Sequence, residues 1–219
     1  MTTAQQTVVA AVTRLFGEKD PSAIDDFFGP VYVQHSALGV DGLDGIRGLM
    51  ANLPEAFRYE LVRSIADGDL VVTHGLYYGY GPGPVVGFDV WRVADGRIVE
   101  HWDALAPSSS ADPRAAVDGP TAAATDVDAE ESRRVALAGP TGDLVEHAPA
   151  LGAAGPYSRG TVHQVVADGD LVFTRGEGTA GDAPAIVNDL WRVSDGRIAE
   201  HWTLISLIPA ELPHGNGVF

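Results

Sequence analysis

An 18-residue stretch occurs twice in the chain, and this repeat limits what the chain can fold into. Residues 88–105 read FDVWRVADGRIVEHWDAL, and residues 188–205 match them at 11 of 18 positions. A shorter block, ADGDLV at 66–71, recurs unchanged at 167–172. Copies about 100 residues apart indicate two tandem domains, each large enough to bury a core. The turn-forming residues between them predict a linker.

The predicted domain boundaries are 1–107, 108–127 for the linker and 128–219.

The long repeat predicts a β-hairpin in each half. In the first copy, Asp95-Gly96 lies between two apolar-alternating runs and suits a tight turn, which needs positive φ at both central residues. Successive strand residues point to opposite faces. Alternation therefore predicts one face with Val99, His101, Asp103 and Leu105, and an opposite face with Ile98, Glu100, Trp102 and Ala104. The second copy keeps the histidine as His201 but has Thr203 where the first has Asp103.

The rest of the first half predicts an α+β arrangement. Hydrophobic spacing and capping residues give the order α-α-β-α-β-β-β-β, with helices early and an antiparallel sheet late. In the second half a helix is predicted over 128–137 and a strand over 144–147. Only 20 residues separate His147 from Ala167, whereas 31 separate His35 from Ala66. The second half is therefore expected to lack about one helix and to keep its sheet.

Composition excludes several classes of function. The net charge of −16 repels a phosphate backbone, so no nucleic-acid partner is expected. The chain has no cysteine, which excludes disulfides, thiolate nucleophiles and cysteine-ligated metal sites. No apolar run is long enough for a membrane span, and the N-terminus lacks the basic region of a secretory signal. These features predict a cytoplasmic protein without a membrane partner.

Three sequence clusters together resemble the SnoaL-like polyketide cyclase family of the nuclear transport factor 2-like superfamily. They are residues 32–35 (YVQH), 67–74 (DGDLVVTH) and the hairpin at 88–103. The resemblance covers nearly all of 5–107, and in 128–208 only the sheet portion. It implies two cone-shaped α+β barrel halves, each with helices over the concave face of a curved antiparallel sheet. Relatives dimerise through the outer sheet face, which implies an intramolecular pseudo-dimer here and leaves a further homodimer open.

The resemblance also implies a site. A pocket aspartate on the last strand acts as acid or base in such cyclases, and Asp103 is the matching position. His35, His74 and Asp89 are implied as further pocket residues, and alternation adds His101. The expected substrate-binding residues are Tyr32, Gln34, Tyr78 and Trp91. A carboxyl beside a histidine on a partly apolar face would be desolvated, which raises its pKa toward the range useful for proton transfer.

These residues predict a cofactor-free enzyme that cyclises, isomerises or hydrates a small hydrophobic, polyketide-like molecule. Three alternatives stay open. One is an epoxide hydrolase or cyclase of the polyether type, with Asp89 and Asp103 as the pair of polar groups. Another is a metal enzyme with Zn²⁺ or Fe²⁺ on His35, His74, His101 and Asp103. The third is a non-catalytic binding module. Because Thr203 and Arg175 replace Asp103 and His74, one working pocket per chain is expected.

Overall fold

Each half of the chain is built on one β-sheet, and the two sheets have the same strand order. The computed structural model describes residues 2–81, 83–153 and 155–219. The first sheet has the order β1-β5-β4-β3-β2, from strands Phe28–Gln34, Arg58–Asp67, Leu70–Tyr78, Val85–Ala94 and Arg97–Pro107, numbered along the chain. The second has the order β6-β11-β10-β9-β8, from Val145–Glu146, Ala150–Leu151, Tyr157–Asp168, Leu171–Ala180, Ala183–Ser194 and Arg197–Leu207. Strand β7 also pairs with β11. The predicted α+β class with two tandem halves is confirmed.

Three helices cover one face of the first sheet, here called the helix-side face. They are α1 (Ala4–Val12), which continues into a single π turn (Thr13–Gly17), α2 (Ala23–Phe27) and α3 (Gly42–Ala51). Thr3 and Gln6 form a capping box that satisfies free backbone N–H groups at the start of α1. The core beneath the helices contains Val8, Leu15, Phe16, Ile24, Ile46, Tyr77, Trp91 and Ile98. The order of elements predicted for this half is confirmed.

The second half has a single helix among its described residues, α4 (Ala129–Ala138), which Asp128 caps through the N–H groups of Glu130 and Glu131. The helix-side core of this sheet is correspondingly small, with Ala136, Ala167, Val172, Trp191 and Ile198. Loss of helical cover, predicted from the shorter spacing, leaves much of this sheet face open.

The sheets are mixed, which corrects the expectation of purely antiparallel sheets. Strand β1 runs parallel to β5 and pairs Gln34 with His101. In the second half β6 runs parallel to β11 and pairs Glu146 with His201. A parallel pair requires a long crossover connection, and here the crossover is the remainder of each half. This pairing brings Gln34 next to His101 in the first half and Glu146 next to His201 in the second.

A β-bulge lies in the hairpin of each half. The turns are as predicted, with φ of 50° and 74° at Asp95 and Gly96. Beyond the turn, however, Val93 pairs with Ile98 while Arg92 pairs with Glu100, so Val99 is the extra residue. The bulge reverses the face of residues nearer the turn. Ile98, predicted on the face of Trp102, is instead buried in the helix-side core.

The other faces of the two sheets pack against each other, and each is here called an inter-sheet face. Their shared core contains Ile65, Val72, Leu76, Phe88, Val90 and Trp102 from the first half, and Val166, Leu171, Phe173, Ile186, Leu190 and Trp202 from the second. The ring centroids of Phe88 and Phe173 are 5.3 Å apart.

Matching residues of the two copies make matching contacts across this junction. The Ala66 N–H donates to Asp168 Oδ2 at 3.0 Å, and the Ala167 N–H donates to Asp67 Oδ2 at 3.4 Å. Within each half, a histidine ring that follows the first paired strand stacks on the tryptophan of the repeat. His35 stacks on Trp102 with ring centroids 4.8 Å apart, and His147 stacks on Trp202 with ring centroids 4.3 Å apart. Reciprocal contacts of this kind are characteristic of two-fold interfaces.

The segment predicted as a linker packs into this junction. It contains a short 3₁₀ helix, Pro113–Ala116, and both Ala116 and Val117 are buried in the shared core. Arg63 Nη2 donates to the carbonyl of Asp118 at 2.8 Å. Trp202 Nε1 of the second sheet donates to the same carbonyl at 2.9 Å, so the segment is held at both sheets. No helix in the described ranges is long and apolar enough to cross a membrane.

Candidate functional site

A pocket lies between α3 and the helix-side face of the first sheet. Its walls are mostly apolar and aromatic, with Phe16, Tyr32, Leu38, Ile46, Leu49, Tyr77, Tyr80, Trp91 and Leu105. Its polar groups come from strands β4 and β5 and from the end of β1, namely Gln34, Ser36, Asp89, His101 and Asp103. Such a combination of apolar walls and a few convergent polar groups is typical of small-molecule sites.

The pocket is narrow in this conformation. Its cavity volume is about 40 Å³, well below the roughly 300–1,000 Å³ of typical ligand pockets. Leu38 and Tyr80 at its edge are 65% and 39% exposed. Entry of a larger molecule therefore requires displacement of side chains at the mouth.

Asp103 is the carboxyl group that faces this pocket most openly. It lies on β5 directly opposite Asp89 on β4, and Ser36 Oγ donates a 2.8 Å hydrogen bond to its Oδ2. Burial raises the pKa of Asp103, and the nearby Asp89 charge adds to the rise, while His101, the Ser36 hydrogen bond and Arg175 oppose it. A carboxyl with a raised pKa can hold a proton closer to neutral pH and release it to a bound molecule.

His101 and Asp89 form a hydrogen-bonded pair beside Asp103. Gln34 Oε1 accepts from the Ser36 N–H at 3.0 Å, which identifies that atom as the amide oxygen. His101 Nδ1, 2.9 Å from the same oxygen, must therefore carry a proton. His101 Nε2 lies 3.2 Å from Asp89 Oδ1, within hydrogen-bond distance.

The remaining contacts of this pair hold it rigidly. Tyr77 Oη donates to Asp89 Oδ2 at 2.6 Å, and burial raises the pKa of Tyr77 well above its usual value, so the phenol keeps its proton. The His101 ring stacks on Trp91 at 3.9 Å. The Trp91 Nε1–H in turn donates to Thr73 Oγ1 at 3.1 Å. Both partners of the pair are thus oriented by neighbours on rigid strands.

The structure places six of the nine predicted site residues around this pocket: Tyr32, Gln34, Asp89, Trp91, His101 and Asp103. Gln34, predicted to bind substrate, lines the pocket and also accepts a hydrogen bond from His101 Nδ1. The other three, His35, His74 and Tyr78, do not line the pocket. Ser36 and Thr73 were not predicted, and only their short polar side chains next to predicted positions could have suggested them.

His74 and Tyr78 lie on the inter-sheet face, which corrects their assignment to the pocket. On β3 the residue opposite Asp89 is Thr73, so the even-numbered residues of this strand face the second sheet. His74 stacks on Phe88 at 4.0 Å, and its ring nitrogens have no hydrogen-bond partner among the described residues. Burial, and then the charge of Arg63, lower its pKa well below the usual value. Tyr78 packs against the shared core.

His35 is also outside the pocket. Strand β1 ends at Gln34, and the His35 side chain points to the opposite side of the sheet, onto Trp102. Its Nε2 lies 3.0 Å from Glu100 Oε1, and its Nδ1 donates to the carbonyl of Gly217 at 3.0 Å. It therefore serves the junction of the two halves.

A metal site, if present, would use a smaller set of residues than the sequence indicated. Ligand atoms of Asp89, His101 and Asp103 all lie within 4.8 Å of one another, whereas His35 and His74 are on the other side of the sheet. One imidazole and two carboxylates are ligand types that suit Zn²⁺ or Fe²⁺. The hydrogen bond from His101 Nδ1 to Gln34 is the support that a metal-binding histidine needs.

The second half keeps the same polar framework with one decisive change. His201 lies between Asp189 at 2.8 Å and Glu146 at 2.6 Å, stacked on Trp191. Thr203 takes the position of Asp103. Arg159, which has no counterpart in the first pocket, donates two hydrogen bonds to Asp189 at 2.7 and 2.9 Å.

These contacts keep Asp189 ionised. Burial would raise its pKa, but the hydrogen bonds from Arg159 and His201 outweigh that effect and lower it to about 2. The cleft that Asp189 and His201 line has a cavity volume of about 380 Å³, because fewer helices cover this sheet. The second half therefore has the larger cleft but lacks a counterpart of the Asp103 carboxyl group, whose pKa is raised.

Comparison with known protein families finds one similarity, in the first half of the chain. A family model described as SnoaL-like domain matches residues 9–101. No curated protein matches the chain.

Similar solved structures each cover about half of the chain. TsrD from Streptomyces laurentii is 20% identical over 47% of this chain and 87% of its own, with a TM-score of 0.40. IdmH from Streptomyces antibioticus, a candidate polyketide cyclase, is 20% identical over 47% and 91%, also with a TM-score of 0.40. An NTF2-like protein from Burkholderia thailandensis is 23% identical over 48% and 92%, with a TM-score of 0.40. The family match runs from α1 to His101 on β5, so the N-terminal half of the chain is similar to the SnoaL-like domain over most of its length.

Proposed function

We propose that the N-terminal pocket catalyses proton transfer in the cyclisation, isomerisation or hydration of a small hydrophobic, polyketide-like molecule. The observation that carries this proposal is the convergence of Asp103 and the Asp89–His101 pair on one apolar pocket. A proton-transfer site needs one group that can give or take a proton and a second that stabilises the charge left behind. Both are present on adjacent strands.

Asp103 is assigned the transfer of a proton to or from the substrate. Its raised pKa keeps the acid form available at higher pH than for an ordinary aspartate, and its face toward the pocket is open to a ligand. His101 is assigned the stabilisation of a developing oxyanion, since it lines the pocket and a proton on Nε2, next to Asp89, could also be donated to a ligand oxygen. The apolar walls would hold the substrate body and exclude water.

The first test measures proton exchange without knowledge of the complete reaction. The protein is incubated in D₂O with a panel of small cyclic ketones, β-keto esters and epoxides, and exchange at the carbon next to the carbonyl, or epoxide opening, is followed by NMR. For a compound that reacts, Asp103→Asn should lower the rate by about 10²- to 10⁴-fold, the usual contribution of a general acid or base. His74→Leu, on the opposite sheet face, is the matched control and should leave the rate unchanged. Full turnover in Asp103→Asn would show the proposal to be wrong.

One alternative is favoured by a specific observation, the grouping of Asp89, His101 and Asp103 within 4.8 Å. Under the acid–base proposal, turnover survives dialysis against a chelator. Loss of turnover after chelation, restored by Zn²⁺ or Fe²⁺ at one ion per chain, would support a metal enzyme instead. Saturable binding of a compound that undergoes no reaction, in the wild type as in Asp103→Asn, would support a binding module.

We also propose that residues 1–107 form the catalytic domain and residues 128–219 a supporting SnoaL-like domain, paired as an intramolecular pseudo-dimer. The reciprocal contacts of Ala66 with Asp168 and of Ala167 with Asp67 support this arrangement. The paired sheet faces are then already occupied within one chain. Sedimentation should accordingly give a single species of 23.0 kDa, and a stable species of twice that mass would show that further outer surfaces associate.

A further inference from the structure

The last residues of the chain return to the first half and bond to the segment that orients the pocket. His214 Nε2 donates to the carbonyl of Ser36 at 2.9 Å, and Asn216 Nδ2 donates to the carbonyl of Gln34 at 2.9 Å. The Asn216 N–H lies 3.3 Å from His214 Nδ1, which fixes the neutral tautomer with its proton on Nε2. The carbonyl of Gly217 accepts from His35 Nδ1 at 3.0 Å. Every residue from 34 to 36 thus has a bond to this C-terminal segment, residues 214–219.

The C-terminal segment is itself fixed by the second half. Val218 is buried in the shared core, and its carbonyl accepts from Arg175 Nη2 at 2.9 Å. The Phe219 ring stacks on His163 at 4.4 Å. Arg175, fully buried, also donates to the carbonyl of Asp103 at 3.1 Å. A single side chain of the second half therefore contacts both the segment and the strand of the candidate acid.

Residues 34–36 need such support because they lie where regular pairing stops. Strand β1 ends at Gln34, whose N–H donates to Asp41 Oδ1 at 2.9 Å. Among the described residues, the bond from the His35 N–H to the His101 carbonyl is the last of this ladder. Yet Gln34 Oε1 fixes the proton on His101 Nδ1, and Ser36 Oγ binds Asp103 Oδ2. A shift of this segment would disturb both polar groups of the pocket at once.

We propose that the C-terminal segment is a positioning element for the N-terminal pocket, with His214 and Asn216 as positioning residues. By holding the carbonyl groups of Ser36 and Gln34 it keeps their side chains aligned with Asp103 and His101. The second half thereby contributes to the pocket without touching a bound molecule. The effect on turnover rests on the proposed function, whereas the effect on geometry does not.

The test compares Asn216→Ala and His214→Ala with Glu211→Ala, an exposed residue just before the segment. Hydrogen exchange is measured on the full chain at the amides of Ser36 and Leu38, which bond to Gln34 Oε1 and Ser36 Oγ. Exchange there should rise by about tenfold in the two variants and stay unchanged in Glu211→Ala, with exchange in the shared core unaffected. Unchanged exchange at these amides in both variants would overturn the proposal.

A second readout reports on the carboxyl group itself. The Ser36 hydrogen bond lowers the pKa of Asp103, so loosening of this bond should raise the Asp103 titration midpoint, observed by ¹³C NMR of the carboxyl carbon. Asn216→Gln, which keeps an amide donor, should restore part of the wild-type behaviour. If a variant fails to fold, the core amides will exchange as well, and the comparison moves to the other single variant. For a compound that reacts, kcat should fall with little change in KM.

The outcomes separate this proposal from the proposed function. Suppose that Asn216→Ala and His214→Ala speed amide exchange and raise the Asp103 titration midpoint, but Asp103→Asn keeps full turnover. The positioning role would then stand and the catalytic role would be refuted. Conversely, Asp103→Asn could abolish turnover while Asn216→Ala and His214→Ala change neither amide exchange nor the Asp103 titration. That result would support the catalytic role and refute the positioning role.

Discussion

Asp89 lies directly across the hairpin from Asp103 because the bulge at Val99 shifts the strand register by one residue. A two-residue turn without a bulge would pair Asp89 with Trp102 and direct its carboxyl toward the second sheet. With the bulge, Asp89 and Trp91 share the helix-side face with His101 and Asp103. Bulges commonly re-aim side chains near functional sites, and here one extra residue brings the second carboxyl into the pocket.

The raised pKa of Asp103 predicts a specific dependence of stability on pH. The group binds its proton more tightly in the folded state than in the unfolded state, where its pKa is near the usual 3.8. Relative to Asp103→Asn, the wild type should therefore lose unfolding free energy as pH rises above 3.8, by about 1.4 kcal/mol for each unit of pKa difference. Urea unfolding from about pH 4 to about pH 8 measures this. If the wild type instead gained unfolding free energy relative to Asp103→Asn as pH rises, the raised pKa of Asp103 would be wrong.

Gln34 should stabilise the fold through its acceptor oxygen rather than through its amide NH₂ group. Its Oε1 accepts from both the Ser36 N–H and His101 Nδ1. Gln34→Leu leaves two buried donors without a partner and should lower the unfolding free energy by about 2–4 kcal/mol. Gln34→Glu keeps the acceptor oxygens, as Glu146 does for His201, and should cost less. Equal losses in the two variants would show that side-chain packing, not hydrogen bonding, accounts for the effect.

Replacement of His74 should stabilise the protein, most clearly in mild acid. Its ring nitrogens are buried without a partner among the described residues, so His74→Leu removes a desolvation cost of about 1 kcal/mol at neutral pH. Because its pKa is lowered in the folded state, the wild type loses stability as pH falls below about 6.5, where the unfolded histidine takes up a proton. Between about pH 7.5 and 5.5 the gap to His74→Leu should widen by about 1.4 kcal/mol. Parallel pH curves would contradict burial of a neutral His74.

Arg159 should stabilise the second half through Asp189. Arg159→Leu removes two hydrogen bonds from a buried carboxylate and should cost about 1–3 kcal/mol of unfolding free energy at neutral pH. Since the folded pKa of Asp189 is lowered to about 2, this contribution is present above 3.8 and should shrink as pH falls toward 2. Arg134→Leu, at a side chain 71% exposed, is the control and should have little effect. A loss that does not change with pH would point to packing instead.

The sequence predicted those parts of the fold that depend on local chemistry. The Asp-Gly turns, the caps and the hydrophobic spacing gave the order of elements, and alternation placed His101 and Asp103 on one face from Glu100 onward. No local signal marked the bulge, so the faces of Ile98 and Asp89 could not be derived by alternation. The parallel pairing of β1 also depends on contacts distant in sequence.

The misplacement of His74 has a different cause. Strand β3 is buried on both sides, with Val71 and Tyr77 under the helices and Val72 and Leu76 against the second sheet. A strand with two apolar faces carries no polar alternation to show which face meets the helices. Its partner strand β4 begins at Val85, and the number of residues between the two strands does not set a register. The pairing of Thr73 with Asp89 in the structure shows that His74 faces the second sheet.

The reciprocal bonds of Ala66 with Asp168 and of Ala167 with Asp67 have a consequence for how the two sites can differ. In a symmetric homodimer one gene encodes both sites, so each substitution appears twice. Covalent linkage of the copies keeps the two-fold contacts while each copy mutates independently. Asp103 and Thr203 can then differ on the two helix-side faces, and His74 and Arg175 can differ at equivalent positions of one interface. Linkage thus permits a division of labour that identical subunits cannot attain.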